Sequence, residues 1–267
     1  MEMYFCPLYS GSSGNALFVQ CGATRLLIDA GRTGREIGDA MRTIGASPET
    51  LSGILITHEH SDHIKAAGIL ARRYGIPVYA TSGTWRAMAE KIGTVRDDLR
   101  REIAADTEFS IGSAGLVPFR IPHDAAEPVG YRIFGGHRSV SVATDLGHFS
   151  GDVYRYIAGS DLILLESNHD PEMLKHNPNY NAQLKRRILG DRGHLSNQAC
   201  AEALSALLEG GTRHVILGHL SGENNTPELA MSASMNAMES AGIRVGKDIE
   251  IDIAMRDRTG SVYRIAD

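Results

Sequence analysis

Between residues 57 and 63 the chain reads Thr57-His58-Glu59-His60-Ser61-Asp62-His63, and no other stretch constrains its folding as much. An apolar run over 53–57 leads into it and is expected to form a buried strand. A helical pattern over 63–74 follows. His58 and His60 are two residues apart, so an extended backbone turns both imidazoles to one side. Asp62 and His63 come next, as the chain enters the helix. Four side chains of metal-ligating type therefore converge within six residues, at the end of a rigid element. Imidazole and carboxylate donors suit Zn²⁺, Mn²⁺ or Fe, and no thiolate stands among them. The plainer alternative is a solvated polar loop.

Composition narrows the setting. Of 267 residues, 42% are apolar and 22% charged, as in ordinary soluble globular proteins, which excludes disorder, a coiled coil and collagen. No apolar run approaches the 18 or so residues of a membrane helix, so no membrane partner is expected. The N-terminal MEMYFCPLYS has neither the basic start nor the apolar stretch of a signal peptide. Cys6, Cys21 and Cys200 are too few and too scattered for a disulfide framework or a CxxC site. A cytoplasmic location is the simplest setting. The net charge of −5 gives no global footprint for nucleic acid, so any such contact must come from a local patch or from metal ions.

No repeat, linker or low-complexity segment interrupts 1–267, which reads as a single domain. Strands are expected over 17–20 and 25–28 as a hairpin, then 53–57, 76–80, 107–111, 116–121, 129–134, 140–144, 162–165, 214–217, 249–254 and 260–265. Helices are expected over 34–44, 63–74, 84–92, 180–189, 196–208 and 226–241. This interleaving predicts a layered α/β fold with helices covering sheets.

The run at 58–63 is an HxHxDH motif, and with it the chain resembles the metallo-β-lactamase superfamily. Leu27-Ile28-Asp29-Ala30-Gly31 is similar to that superfamily's first motif and Pro122-His123-Asp124 to its third. Ala143-Thr144-Asp145-Leu146-Gly147 is similar to the fourth and Leu217-Gly218-His219-Leu220-Ser221 to the fifth, in the expected order. The resemblance implies a four-layer αβ/βα sandwich with each motif at a strand end. It also implies two divalent metal ions, Zn²⁺ or Mn²⁺ with Fe as a third choice. His58, His60 and His123 would hold one ion, Asp62, His63 and His219 the other, with Asp145 bridging and Asp29 behind the ligands. Such cations lower the pKa of water to about 7, and Asp62 would orient that water. His60 stands where the superfamily's redox branch often has a carboxylate, so hydrolysis is expected.

A metal set alone does not name a substrate. Glu166 ends an apolar run, and Gly193-His194-Leu195-Ser196 precedes a helix. Both are similar to the tRNase Z-like nuclease branch, where such a glutamate and histidine form a pair that protonates the leaving alkoxide. The plainer role for His194 is to neighbour a helix cap at Ser196. Ser10-Gly11-Ser12-Ser13-Gly14-Asn15, Glu127-Pro128-Val129-Gly130-Tyr131, Glu166-Ser167-Asn168-His169-Asp170 and Gly193-His194-Leu195-Ser196-Asn197 add a resemblance to the YycJ (WalJ) group of bacterial proteins. That implies a metal-dependent 5′→3′ DNA exonuclease, with a link to mismatch repair, in which Asp62, His194 and Glu166 are catalytic and DNA is the substrate. The alternative is a small-molecule hydrolase of the same fold: a cyclic phosphodiesterase, thioesterase or lactonase.

Lys185, Arg186, Arg187 and Arg192 lie just before His194 and read equally as a phosphate-holding patch or as plain helix surface. Residues 10–15 read as a turn in preference to an anion-binding nest. The asparagines at 177–181 and 224–225 read as loop formers. His148 and His169 follow motif residues, within reach of substrate but outside the catalytic assignment.

Overall fold

The computed structural model describes residues 1–266. They divide into two compact units, the first made of 1–120, 125–139 and 255–266, the second of 121–124 and 140–254. In chain order the first unit carries β1 (Met3–Tyr9), β2 (Ala16–Cys21), β3 (Thr24–Ile28), α1 (Gly34–Thr43), β4 (Gly53–Leu55), α2 (Ser61–Ile64), α3 (Ala67–Tyr74), β5 (Val78–Thr81), α4 (Ser82–Ile92), β6 (Arg100–Ile103), β7 (Phe109–Ile111), β8 (Ala114–Arg120) and β9 (Val129–Gly135). Next come β10 (Arg138–Ala143), α5 (Gly151–Ile157), β11 (Leu162–Glu166), α6 (Pro171–His176), α7 (Ala182–Leu189), α8 (Asn197–Glu209), β12 (His214–Gly218), α9 (Pro227–Ser240) and β13 (Glu250–Ile253), and the chain returns to the first unit with β14 (Tyr263–Ile265).

In the first unit a sheet runs β14-β1-β2-β3-β4-β5-β6. Its β2–β3 hairpin pairs Cys21 with Thr24, and its β3–β6 strands are parallel. A capping box starts α1: Thr33 accepts from the Glu36 N–H while Glu36 accepts from the Thr33 N–H. The helix then buries Ile37 and Met41 in a core shared with Leu27, Ile54, Leu70 and Val78. Each fully buried aliphatic side chain of this kind stabilises by about 1.5–3 kcal/mol. β7, β8 and β9 form an antiparallel meander.

In the second unit β10, β11, β12 and β13 are all parallel neighbours. Every residue of β11 is buried, which is why its sequence, LILLE, is apolar without alternation until the glutamate. The α/β class read from the sequence is observed. Among the described residues, no helix is long and apolar enough to cross a membrane.

The helix expected over 63–74 is instead two, α2 and α3. The Ala66 N–H donates to the Ala30 carbonyl, and the His63 carbonyl accepts from the Ala30 N–H. These bonds divert the backbone that a continuous helix would need, and they fasten the histidine run to the segment after β3. Four elements lack the patterns that reveal strands and helices. β6 is exposed and charged, α5 and α6 are short, and β1 passes through Pro7.

Candidate active site

In the first unit the motif residues lie beyond the carboxyl ends of the parallel strands β3 and β4, the usual ligand-binding edge of α/β sheets. Asp29 follows β3 and is 1% exposed. Its Oδ2 accepts from His63 Nδ1 at 2.7 Å, while its Oδ1 accepts from the Thr57 N–H at 2.9 Å. The Thr57 hydroxyl donates to Asp29 and lies 3.0 Å from His58 Nδ1. Nδ1 of both rings is thereby engaged, which leaves Nε2 as the lone-pair nitrogen on each. His58 Nε2 and His60 Nδ1 approach to 3.0 Å, a spacing at which two nitrogen lone pairs need a cation or a proton between them. Asp62 Oδ2 lies 3.5 Å from His63 Nε2. Asn15, held by the Gly11 N–H, puts its amide nitrogen 3.1 Å from the same His63 atom. The loop at 10–15 is thus a turn that docks Asn15 on the histidine run. Gly31 explains itself here: a Cβ on it would stand 1.6 Å from the Asp62 carbonyl oxygen.

In the second unit His123, Asp145, Glu166 and His219 lie at or near the ends of separate strands. Glu166 is fully buried and all four of its lone-pair positions are used. Oε1 accepts from His194 Nδ1 and from His219 Nδ1, each at 2.8 Å. Oε2 accepts from the backbone N–H groups of Leu146, at 2.6 Å, and Leu195, at 3.1 Å. Glu166 therefore orients two imidazoles rather than binding a metal itself. Burial opposes its charge, but His194 and His219 outweigh burial and hold the carboxyl below its usual range. Burial likewise works against protonation of His194, and Glu166 overcomes it, so the ring keeps its proton more readily than an ordinary histidine.

His123 Nδ1 donates to the Gly193 carbonyl at 3.1 Å. Asp145 Oδ1 lies 3.8 Å from His123 Nε2 and 3.6 Å from His219 Nε2. Those gaps exceed a hydrogen bond. They suit donors that share a cation through bonds of about 2.0–2.2 Å. The nitrogen and oxygen donors of both units fit divalent ions such as Zn²⁺ or Mn²⁺.

Asp29, Asp145 and His219 adopt left-handed backbone conformations, with φ of 59°, 60° and 55°. Non-glycine residues adopt this region infrequently, Asp and His more readily than most, and Asp106 does so in a turn away from the site.

Several residues at the site were not singled out from the sequence, or were read differently. Thr57 stands inside the quoted motif, yet its hydroxyl is the joint between Asp29, His58 and His63. Tyr131 donates to the Ile56 carbonyl at 2.8 Å, bracing the strand that delivers His58. Asn225 is not a simple loop former. Its amide donates to the carbonyls of Ser167 and Asn168 and exchanges hydrogen bonds with the Asn197 amide. Asn168 in turn donates to the His219 carbonyl at 2.9 Å. The basic cluster before His194 is largely spent inside the unit. Arg192 donates twice to the His123 carbonyl, Arg187 forms an ion pair with Asp124, and Lys185 donates to the Lys175 carbonyl.

A beta-lactamase superfamily domain model matches residues 24–220. The chain is 39% identical to exodeoxyribonuclease YycJ of Bacillus anthracis over 251 residues, covering 94% of this chain and 95% of that protein. It is also 39% identical over 246 residues to exodeoxyribonuclease WalJ of Streptococcus pneumoniae, covering 91% of each. Among solved structures, the metallo-β-lactamase fold protein YhfI of Bacillus subtilis superposes with a TM-score of 0.72 at 17% identity, covering 98% of this chain and 99% of that one. With its motifs at the strand ends of an α/β fold, the chain belongs to the metallo-β-lactamase superfamily of metal-dependent hydrolases, in the group of YycJ and WalJ.

Proposed function

We propose that the protein is a metal-dependent phosphodiesterase that shortens linear DNA from its 5′ end. The observation that carries this reading is the Glu166–His194 pair. Glu166 Oε1 fixes His194 Nδ1 at 2.8 Å, and the ring is otherwise partly open, with 21% of its side chain exposed. A proton donor held in that way matters for a sugar alkoxide, which is a poor leaving group, and matters little for an activated ester. The names of the 39%-identical relatives support DNA as the polymer.

His58, His60, Asp62, His63, His123, Asp145 and His219 would hold two divalent ions in the roles the resemblance gives them. When bound, these ions neutralise phosphate oxygens and lower the pKa of water. Asp62 orients the attacking water. As the new oxygen–phosphorus bond forms, the bond from phosphorus to the leaving sugar oxygen breaks, and the proton of His194 passes to that oxygen. Glu166 keeps the His194 ring in place and stabilises its charged form. We read 1–267 as a single hydrolase domain, and a cytoplasmic setting accords with three buried free thiols, Cys6, Cys21 and Cys200.

The test is digestion of linear DNA labelled at either end in the presence of Mn²⁺ or Zn²⁺, beside a closed circle and an RNA of the same sequence. Shortening from the 5′ end, with the circle intact and Asp62→Asn silent, is the expected result. Hydrolysis of a nitrophenyl phosphodiester with no polymer cut would move the function to a small phosphodiester.

A further inference from the structure

Beside His194 the second unit opens a pocket of about 460 Å³, within the size range of small-molecule sites. One wall is α8, where Ala199, Ala203 and Ala206 recur at helical spacing and leave room that larger side chains would fill. Phe149, half-buried, and Leu189, 59% exposed, add apolar surface open to a ligand. Glu202 also lines the pocket and no lysine or arginine does, so a neutral group suits it better than a phosphate.

His169 lines the same space. It is 1% exposed, and neither of its ring nitrogens has a hydrogen-bond partner. Buried polar groups nearly always find one. The residue is fixed at its backbone, since the His169 carbonyl accepts from the Asn197 N–H at 2.9 Å. Burial pushes its imidazole down to about 4, so the ring is neutral at ordinary pH, with one nitrogen a donor and the other an acceptor. Nucleobase edges present donors and acceptors side by side.

We propose that this pocket takes the base of the departing nucleotide, stacked on Phe149 and met at its edge by His169. The inference rests on His194 as the proton donor: a sugar oxygen leaving at His194 carries its own base toward the pocket that His194 helps to line. The nuclease would then sense the nucleotide it releases and not merely its phosphates.

The experiment compares three 5′-phosphorylated DNA strands with the metal-loaded protein: one intact, one lacking the base of the first nucleotide, and one lacking the base of the second. Loss of the first base should lower kcat/KM about tenfold, the scale of one lost base–aromatic stack. Loss of the second should change it less than about twofold. Equal rates on all three strands, or a larger effect at the second position, overturn the base pocket and leave the nuclease reading standing. No cleavage of any strand overturns both. Ala203→Phe, which fills the pocket from α8, should bring the intact-to-baseless ratio close to one, and a ratio still near ten overturns the proposal. If that variant melts early, the three-strand comparison on the unaltered protein still decides.

Discussion

In the first unit the metal-type donors follow one another within six residues, while in the second they are gathered from strand ends and loops between 123 and 219. Their supports differ in the same way. Asp29 and Thr57 share the task of fixing His58 and His63, through several hydrogen bonds that partly duplicate one another. In the second unit one buried carboxylate, Glu166, fixes both His194 and His219 and spends every lone pair in doing so. A locally encoded cluster tolerates loss of a support, whereas a cluster gathered around one hub does not. On the proposed roles the hub also couples two tasks, since the same carboxylate touches His219, assigned as a ligand, and His194, assigned as the proton donor.

The largest expected effect tests the ligands themselves. Asp62→Asn or His60→Ala should abolish DNA cleavage, by about a thousandfold or more, because both water orientation and metal charge are lost. Residual cleavage within tenfold of the unaltered protein would remove the first unit's cluster from the chemistry. Next comes His194→Ala, expected to slow DNA cleavage by roughly 10²–10⁴ and an activated nitrophenyl phosphodiester far less. Equal losses on the two substrates would end the case for a proton donor.

The sharpest contrast pairs the two orienting carboxylates. Glu166→Gln should weaken metal binding by about 100-fold and Asp29→Asn, whose network Thr57 partly duplicates, by about 10-fold, read as the free-metal concentration that half-restores activity. Only Glu166→Gln should also change the ratio of DNA to nitrophenyl activity, because only Glu166 touches the proton donor. If both variants shift that ratio alike, the coupling assigned to the hub is wrong. The smallest effect belongs to Thr57→Val, which removes one hydroxyl from a shared network. Urea denaturation should register a loss of about 1–3 kcal/mol, with metal binding weakened only modestly.

The same difference explains what could be read from the sequence. His58, His60, Asp62 and His63 announce themselves by spacing, because period-two geometry and a strand–helix junction are local properties. His123, Asp145 and His219 carry no such signal and were reachable only through a family resemblance. Glu166 and His194 were matched in the same way, and spacing gave no hint that Glu166 also binds His219. Asn225 illustrates the limit: an asparagine pair in a polar stretch looks like any loop, and its buried exchange with Asn197 depends on a helix that begins 28 residues earlier. The break between α2 and α3 was hidden for a similar reason. The periodicity of 63–74 is helical throughout, and the interruption comes from hydrogen bonds to Ala30, which lies in another part of the chain.

The left-handed backbone at Asp29, Asp145 and His219 has a consequence for how such a chain changes over time. That conformation costs an ordinary L-residue roughly 1–2 kcal/mol and glycine almost nothing. Exchange of Asp145 for glycine would ease the backbone and remove a buried carboxylate, so the folded chain would tolerate heat better while turnover vanished. Selection for endurance alone would carry the sequence toward an inert variant at Asp145, whose buried Oδ2 accepts no hydrogen bond among the described residues. An aspartate at 145 thus answers to use, against the preference of the backbone that carries it.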